Sequence, residues 1–466
     1  MSVDLKELIG LRNLFQAGKS TLVEKELTQL IKSTIELIHE IPKYKLDEIN
    51  PEFLNEFLNL LDAVQEGEFV KDFIIECSES SFYDLGKLFI TVLGEVLEKE
   101  KSIVEELIYL YLNFFRKSEF LIKISDDHKW SSLISNLIDI TTFNTRKLFK
   151  QRLHEYSKKT LFNVLIGENN IQYSWVDIDS LVEMYSNSLL SIVGKKSDQP
   201  RVAFLTENSL TMALLDIACL NSGVVNVMIP ANSVPQHISF ILNQTKCDFI
   251  LVSNEKQLAK LKSVKKELKY LKNGILLDGT SAEDWILSFA EFKDYGTQGD
   301  LSYFDLPIDA PATIMYTSGT TGEPKGIIFS QKNIVFKRFC RAIALPRIND
   351  GDSFLSYLPL YHTFGRWLEL MGTIFWGATY SFMENPSAET MIANMQMVKP
   401  SIFISIPKKW MQLYEHISAS VNIEHDEEDY IKRKVENITG GKLKWGLSAA
   451  GYLSPEVFQF FQKYEV

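Results

Sequence analysis

The residues best suited to chemistry lie in YTSGTTGEPKG, residues 316–326, which puts three glycines, five hydroxyl side chains and one lysine into eleven positions. Glycine lets backbone N–H groups turn onto an anion with no Cβ in the way, hydroxyls donate hydrogen bonds, and lysine delivers a compact positive charge. Gly319 and Gly322 supply the turns, Thr317, Ser318, Thr320 and Thr321 the hydroxyls, and Lys325, stiffened by Pro324, the charge. These residues form a cradle for a polyphosphate. The order is not that of a P-loop, in which Gly-Lys is followed by Ser or Thr at the start of a helix. Here Lys325 precedes Gly326, and Ile327 follows.

The elements that must hold this loop come from residue 143 onward. Short apolar runs (RVAFL, VVNVMI, DFILVS, GILLD, TIMYTS, SFLSYLP, SIFIS and LKWGLSA) alternate with helix-like stretches. That alternation predicts an α/β architecture of parallel strands flanked by helices. TIMYTS is then the strand before the loop, and the loop leaves its carboxyl end, where open α/β sheets collect ligands. His362, in LPLYHTFGR, also follows a strand and is expected at the same sheet edge. Phe364 and Trp367 beside it read as core.

Residues 1–140 differ. Apolar residues recur there at three- and four-residue intervals, as in Val23, Leu27, Leu30 and Ile31, and again in Leu85, Leu88, Phe89 and Val92. The spacing predicts an all-α helical domain over 1–140, ahead of an α/β domain over 143–466. The helical part holds 15 Lys+Arg and 26 Asp+Glu, so it carries the whole net charge of −11. An acidic surface repels nucleic acid, which is not expected as a partner. Between the two lies RKLFKQRLHEYSKKTLF, a basic amphipathic segment read as a solvated helix entering the second domain, with peripheral membrane contact left open. The four cysteines have no metal or disulfide spacing, no signal peptide is visible, and no stretch approaches the length of a membrane span. A soluble protein of the reducing cytoplasm is the expectation.

YTSGTTGEPKG followed by IIFSQKNI closely resembles the signature loop of the adenylate-forming enzymes: acyl-CoA synthetases, the firefly-luciferase type and the adenylation domains of peptide synthetases. Further stretches agree in order: ENSLTMALLDIACLNSGVVNVMIPANS, YLPLYHTFGR, KPSIFISIPKKWMQLYEHI and GGKLKWGLSAAGYLSPEVFQFF. They are most similar to the long-chain fatty acid–CoA ligase branch, and the resemblance covers about residues 143–466. It implies ATP, Mg²⁺ and coenzyme A as cofactors or co-substrates: a fatty acid carboxylate attacks the α-phosphate of ATP, and a thiol then takes the acyl group. It further implies that Lys325 and the loop hold pyrophosphate, that Thr317 helps hold Mg²⁺, and that His362 lines the acyl side of the site. Ser448, Ala449, Ala450 and Gly451, in LSAAGYLSPE, match a family segment that packs on adenine. They depart from it at Ala449, Gly451 and Tyr452, so the backbone there is expected to differ. The family's next motifs, a Tyr-Gly-x-Thr-Glu stretch and a lysine-bearing C-terminal domain, have no counterpart up to Val466. The chain is therefore expected to be incomplete and, by itself, to show negligible turnover. Two other readings remain: an acyl-AMP ligase serving a carrier protein, and a non-catalytic ligand-binding or scaffold module.

Overall fold

The computed structural model describes residues 111–194, 199–297, 306–317, 323–464 and 466, together with isolated positions (79, 83, 86, 87, 90, 105, 108 and 109) of the N-terminal third. The helical periodicities read at Val23–Ile31 and Leu85–Val92 rest on residues outside those described. The chain divides into two compact units, Met1–Asn144 with Val335–Asn349, and Thr145–Ile334 with Asp350–Val466.

The described part of the first unit is helical. Its main element is α1 (Asp127–Thr141), whose Asp126 side chain caps the free N–H groups of His128 and Lys129. Leu133, Ile134, Leu137 and Ile138 form its buried stripe. Trp130 meets Phe115 and Phe120 edge-on, with centroids 5.4 Å apart in each pair. Phe115 also meets Phe339, from the stretch at 335–349 that belongs to this unit.

The second unit begins with α2 (Thr145–Tyr156) and continues through β1 (Thr160–Ile166), β2 (Asn169–Ser174), α3 (Trp175–Val193), β3 (Arg201–Leu205), α4 (Leu210–Ser222), β4 (Val225–Met228), α5 (Pro235–Thr245), β5 (Phe249–Val252), α6 (Glu255–Ser263), β6 (Asn273–Leu276), β7 (Ile286–Ser288), α7 (Phe289–Asp294), β8 (Pro311–Thr317) and β9 (Lys325–Ser330). Then follow α8 (Gln331–Ala344), which runs into the other unit, β10 (Ser353–Ser356), a wide π-helical turn (Phe364–Leu370), α9 (Met371–Trp376), β11 (Thr379–Phe382), α10 (Ala388–Val398), β12 (Ile402–Ser405), α11 (Pro407–Ser418), α12 (Glu428–Thr439), β13 (Trp445–Ser448) and α13 (Pro455–Lys463).

The strands form two sheets. The seven-stranded sheet has the order β7-β6-β5-β3-β4-β8-β9, parallel except for the β8–β9 hairpin. The six-stranded sheet has the order β13-β12-β10-β11-β1-β2, parallel except for β1–β2. Helix-covered parallel strands are apolar on both faces. Thus Ala203, Leu205 and Val227 pack with Ile238 and Ile241 of α5, whereas Val202, Phe204 and Met228 pack with α3 and α4. The parallel α/β expectation holds. The placement of His362 at the same sheet edge as the phosphate loop does not: His362 follows β10 in one sheet and the loop follows β8 in the other. The basic segment is also more than a solvated helix, because α2 buries Leu148, Phe149 and Arg152, and Arg152 Nε donates to Phe375 O at 2.8 Å.

Gly377 ends α9 in the left-handed region at φ +75°, and a Cβ there would come within 2.2 Å of the Tyr156 ring. Tyr156 is itself tied to Asp350 by a 2.7 Å hydrogen bond and has little room to yield. Gly377→Ala is expected to destabilise the protein by on the order of 1–3 kcal/mol from backbone strain plus overpacking. A drop of several degrees in melting temperature checks this, and an unchanged melting curve would contradict it.

Candidate active site

Each sheet has a point where successive crossovers run in opposite directions, and such switch points open a crevice at the strands' carboxyl ends. In the seven-stranded sheet it lies between β3 and β5; in the six-stranded sheet it lies between β10 and β12. The segments leaving these points are joined directly. Asn208, just after β3, donates from Nδ2 to Leu358 O at 2.7 Å and to Tyr357 O at 3.2 Å, and its Oδ1 accepts from Leu360 N at 2.9 Å. One amide side chain thereby holds three backbone groups of the turn that ends in His362.

Glu207 braces the next loop. It accepts hydrogen bonds from Ser253 Oγ, from Asn254 Nδ2 at 3.1 Å and from Gln257 Nε2 at 2.6 Å. Burial works against its charge, but these donors more than offset that and hold its carboxyl below the usual carboxylate range.

Thr317, at the carboxyl end of β8, and His362 face the same cavity of about 500 Å³. Val234, Met315, Ile327 and Phe329 give it an apolar wall, and Asn232, Ser233 and His237 add polar groups. Lys325 opens instead onto a neighbouring cavity of about 630 Å³, beside Arg201, Gln199 and Gln244. Tyr316 and Pro324 border both spaces, so the β8–β9 hairpin is their common wall. The Tyr316 hydroxyl donates to Gln244 Oε1 at 2.5 Å, and burial, with a smaller push from Cys247, raises its pKa to about 12. The phenol is a fixed neutral donor at physiological pH. Ser318, Gly319, Thr320, Thr321 and Gly322 lie outside the described residues.

Ser448 ends β13 and Ala449, Ala450 and Gly451 follow it, two strands from β10, and none of them lines either cavity. Ala449 N donates to Ser405 O at 3.0 Å, prolonging the β12–β13 ladder. Ala450 then enters the left-handed region at φ +63°, uncommon for a residue with a Cβ. Ser448 Oγ is buried with no hydrogen-bond partner. Tyr452 is 79% exposed, so it adds no bulk to an enclosed wall.

Behind His362 the chain widens into the π-helical turn, a geometry frequent at functional sites. Arg366 and Asp216 are each fully buried in this turn and in α4. Arg366 Nε donates to Asp216 Oδ2 at 2.8 Å and Nη2 donates to Asp216 Oδ1 at 2.5 Å, a two-pronged pair. Arg366 also donates to Thr313 Oγ1 at 2.8 Å and to Asn226 Oδ1 at 3.0 Å, while Asn226 Nδ2 donates to Asp216. None of these four residues, nor His237 or Asn208, was expected in the site. A signal was present in two of them: Asp216 interrupts the apolar run Met212–Leu220 of α4, and Asn226 interrupts the apolar run of β4. A polar group in a fully buried run needs a partner.

Residues 149–465 match the AMP-binding enzyme family, and the chain belongs to that family. It is 27% identical over 297 residues to long chain acyl-CoA synthetase 4 of Arabidopsis thaliana, a match covering 59% of this chain and 43% of that relative. Among solved structures it shares its fold with a long-chain-fatty-acid-CoA ligase from Archaeoglobus fulgidus (TM-score 0.57, 17% identity, 69% of this chain and 60% of that one). It likewise shares the fold of the adenylation domain of a carboxylate reductase from Mycobacterium chelonae (TM-score 0.60, 19% identity, 72% and 58%). The chain thus spans under half the length of the curated relative.

Glu369, three residues beyond Arg366, is fully buried, and no donor reaches its carboxyl oxygens in good hydrogen-bond geometry. Burial pushes its pKa well up, and Ser356 beside it offsets this only in part. The folded state therefore keeps a proton that the unfolded chain releases above about pH 4.3. Stability from this residue falls as pH rises past that value. Glu369→Gln should remove the penalty: melting temperatures of variant and parent are expected to converge near pH 4 and separate, variant higher, by pH 8. A parent that is more stable than the variant at pH 8 would contradict this.

Proposed function

We propose that this protein activates a long-chain fatty acid with ATP, forming an acyl adenylate and pyrophosphate, and then transfers the acyl group to coenzyme A. The observation that carries the reading is the shared cavity of Thr317 and His362, apolar on one side and hydroxyl-lined on the other, bordered by the carboxyl ends of β4 and β8 in one sheet and of β10 in the other. In the first step a carboxylate oxygen bonds to the α-phosphorus while the bond to the β-phosphate oxygen breaks. The nucleophile is already ionised, so the protein's work is positioning and charge stabilisation rather than base catalysis. Lys325 and the hydroxyls of Thr317, Ser318, Thr320 and Thr321 hold the leaving pyrophosphate, with Gly319 and Gly322 admitting the backbone. His362 orients the carboxylate. Ser448, Ala449, Ala450 and Gly451 form the adenine shelf. In the second step the thiol sulfur bonds to the acyl carbon, AMP departs and the thiol proton goes to solvent.

Thr317 offers a single hydroxyl oxygen, and the described residues contain no cluster of three His, Cys, Asp or Glu that could hold a metal unaided. That donor set fits Mg²⁺, which is commonly held by substrate phosphates with one or two protein oxygens. When bound, the ion neutralises phosphate charge. We further propose an acidic domain over 1–140 ahead of the α/β domain over 143–466, whose residues 335–349 group with the first unit, and a cytoplasmic setting with peripheral membrane access to the fatty acid. No described helix is long and apolar enough to cross a membrane.

The full-length protein is expected to support ATP–pyrophosphate exchange with fatty acids and Mg²⁺, and to yield acyl-CoA when coenzyme A is added. Free acyl-AMP with no thioester would assign it as an acyl-AMP ligase, and no exchange at any chain length would refute the proposal. Lys325→Ala should slow adenylation on the order of 100- to 1000-fold, about 3–4 kcal/mol of lost transition-state stabilisation, with the melting curve retained. An unaltered rate would remove Lys325 from the site.

A further inference from the structure

The buried ion pair behind the π-helical turn has a place in the reaction, given the function proposed above. We infer that Asp216 and Arg366 are positioning residues that set where the His362 imidazole stands, without touching substrate themselves.

Arg366 N donates to His362 O at 3.0 Å, so the guanidinium and the imidazole belong to one turn of backbone. That turn cannot be shifted without moving a fully buried charge. Arg366 is locked from three elements of the other sheet layer: Asp216 on α4, Asn226 on β4 and Thr313 on β8. Thr313 lies four residues before Thr317 on the same strand, so the lock refers His362 to the strand that carries the phosphate loop. The turn is also packed without slack. A Cβ on Gly365 would come within 2.5 Å of Leu358 O and 2.6 Å of Pro359 O. Asn208 fixes the entry to the turn, and Arg366 fixes its exit.

The chemistry of the pair points the same way. Buried ion pairs contribute little to stability compared with apolar residues of similar volume, and their best-attested use is to specify one arrangement. A forked guanidinium bound to a carboxylate and two neutral oxygens has one geometry, whereas an apolar plug has many. A displacement of about 1 Å in a reacting group can cost roughly 100-fold in rate.

The test uses the full-length protein and the variants R366K, D216N and the apolar double D216L/R366M. The expected result is a melting temperature for the double close to the parent's, with kcat for acyl-AMP formation down about 10- to 100-fold and KM for ATP within about twofold. Adding His362→Ala to the double should cost less than about threefold more, because the imidazole is already misplaced. R366K keeps charge and stem and loses only the fork, so it answers the question if the apolar double does not fold; it should show the same kcat loss. Parent-like kcat in a folded double or in R366K, or losses that multiply with that of His362→Ala, would overturn the inference. If the parent forms no acyl-AMP at all, the functional reading fails and positioning is judged separately. The His362 13Cε1–1H resonance should then be single and sharp in the parent and broadened or split in the variants. Identical resonances would overturn the positioning role.

Discussion

The contact on which the site depends is the pair between Arg366 and Asp216. Both are removed from water, which is costly for charges unless geometry and additional hydrogen bonds are good. Here they are: two prongs to the carboxylate, one bond to Thr313 and one to Asn226. The pair ties a turn of the six-stranded sheet to the helix and two strands of the seven-stranded sheet. With Asn208 holding the other end of the turn, segments at the carboxyl ends of strands from two separate sheets border one cavity. The Arg366 guanidinium also stands 4.3 Å from the Trp367 ring, an additional favourable contact for its charge.

Some of this was legible in the residues. The loop at 316–326 declared itself because its composition is a local property: glycine, hydroxyl and lysine act where they stand. The alternation of apolar strands with helices gave the parallel α/β class for the same reason. The division into two sheets was not readable, since SFLSYLP and TIMYTS are the same kind of buried run and neither encodes its neighbour. β11 was missed because TYSF is too short for a periodic signal, and β1 because a basic segment was followed past Tyr156 into it. Asp216 and Asn226 advertise that a partner exists. That the partner is Arg366, 140 residues beyond Asn226, follows only from the fold. Ser448, Ala449, Ala450 and Gly451 show the limit of a matched motif: the departure at Ala449 foretold altered backbone, but the left-handed residue is Ala450.

The β8–β9 hairpin gives the two cavities separate characters. One side has Thr317, His362 and an apolar wall; the other has Lys325, Arg201 and Gln244. A reaction that joins a greasy carboxylate to a nucleotide and expels pyrophosphate needs both environments within a few residues. The neutral Tyr316 hydroxyl, bordering both, ties β8 to α5 through Gln244 without adding a charge of its own.

The most direct test of the account is a structure of the full-length protein with a non-hydrolysable acyl-sulfamoyl adenosine. The sulfamoyl group is expected between Thr317 and His362, with the acyl chain along Val234, Met315 and Phe329. An analogue seated wholly against Lys325 and Arg201, or one that does not bind, would contradict it.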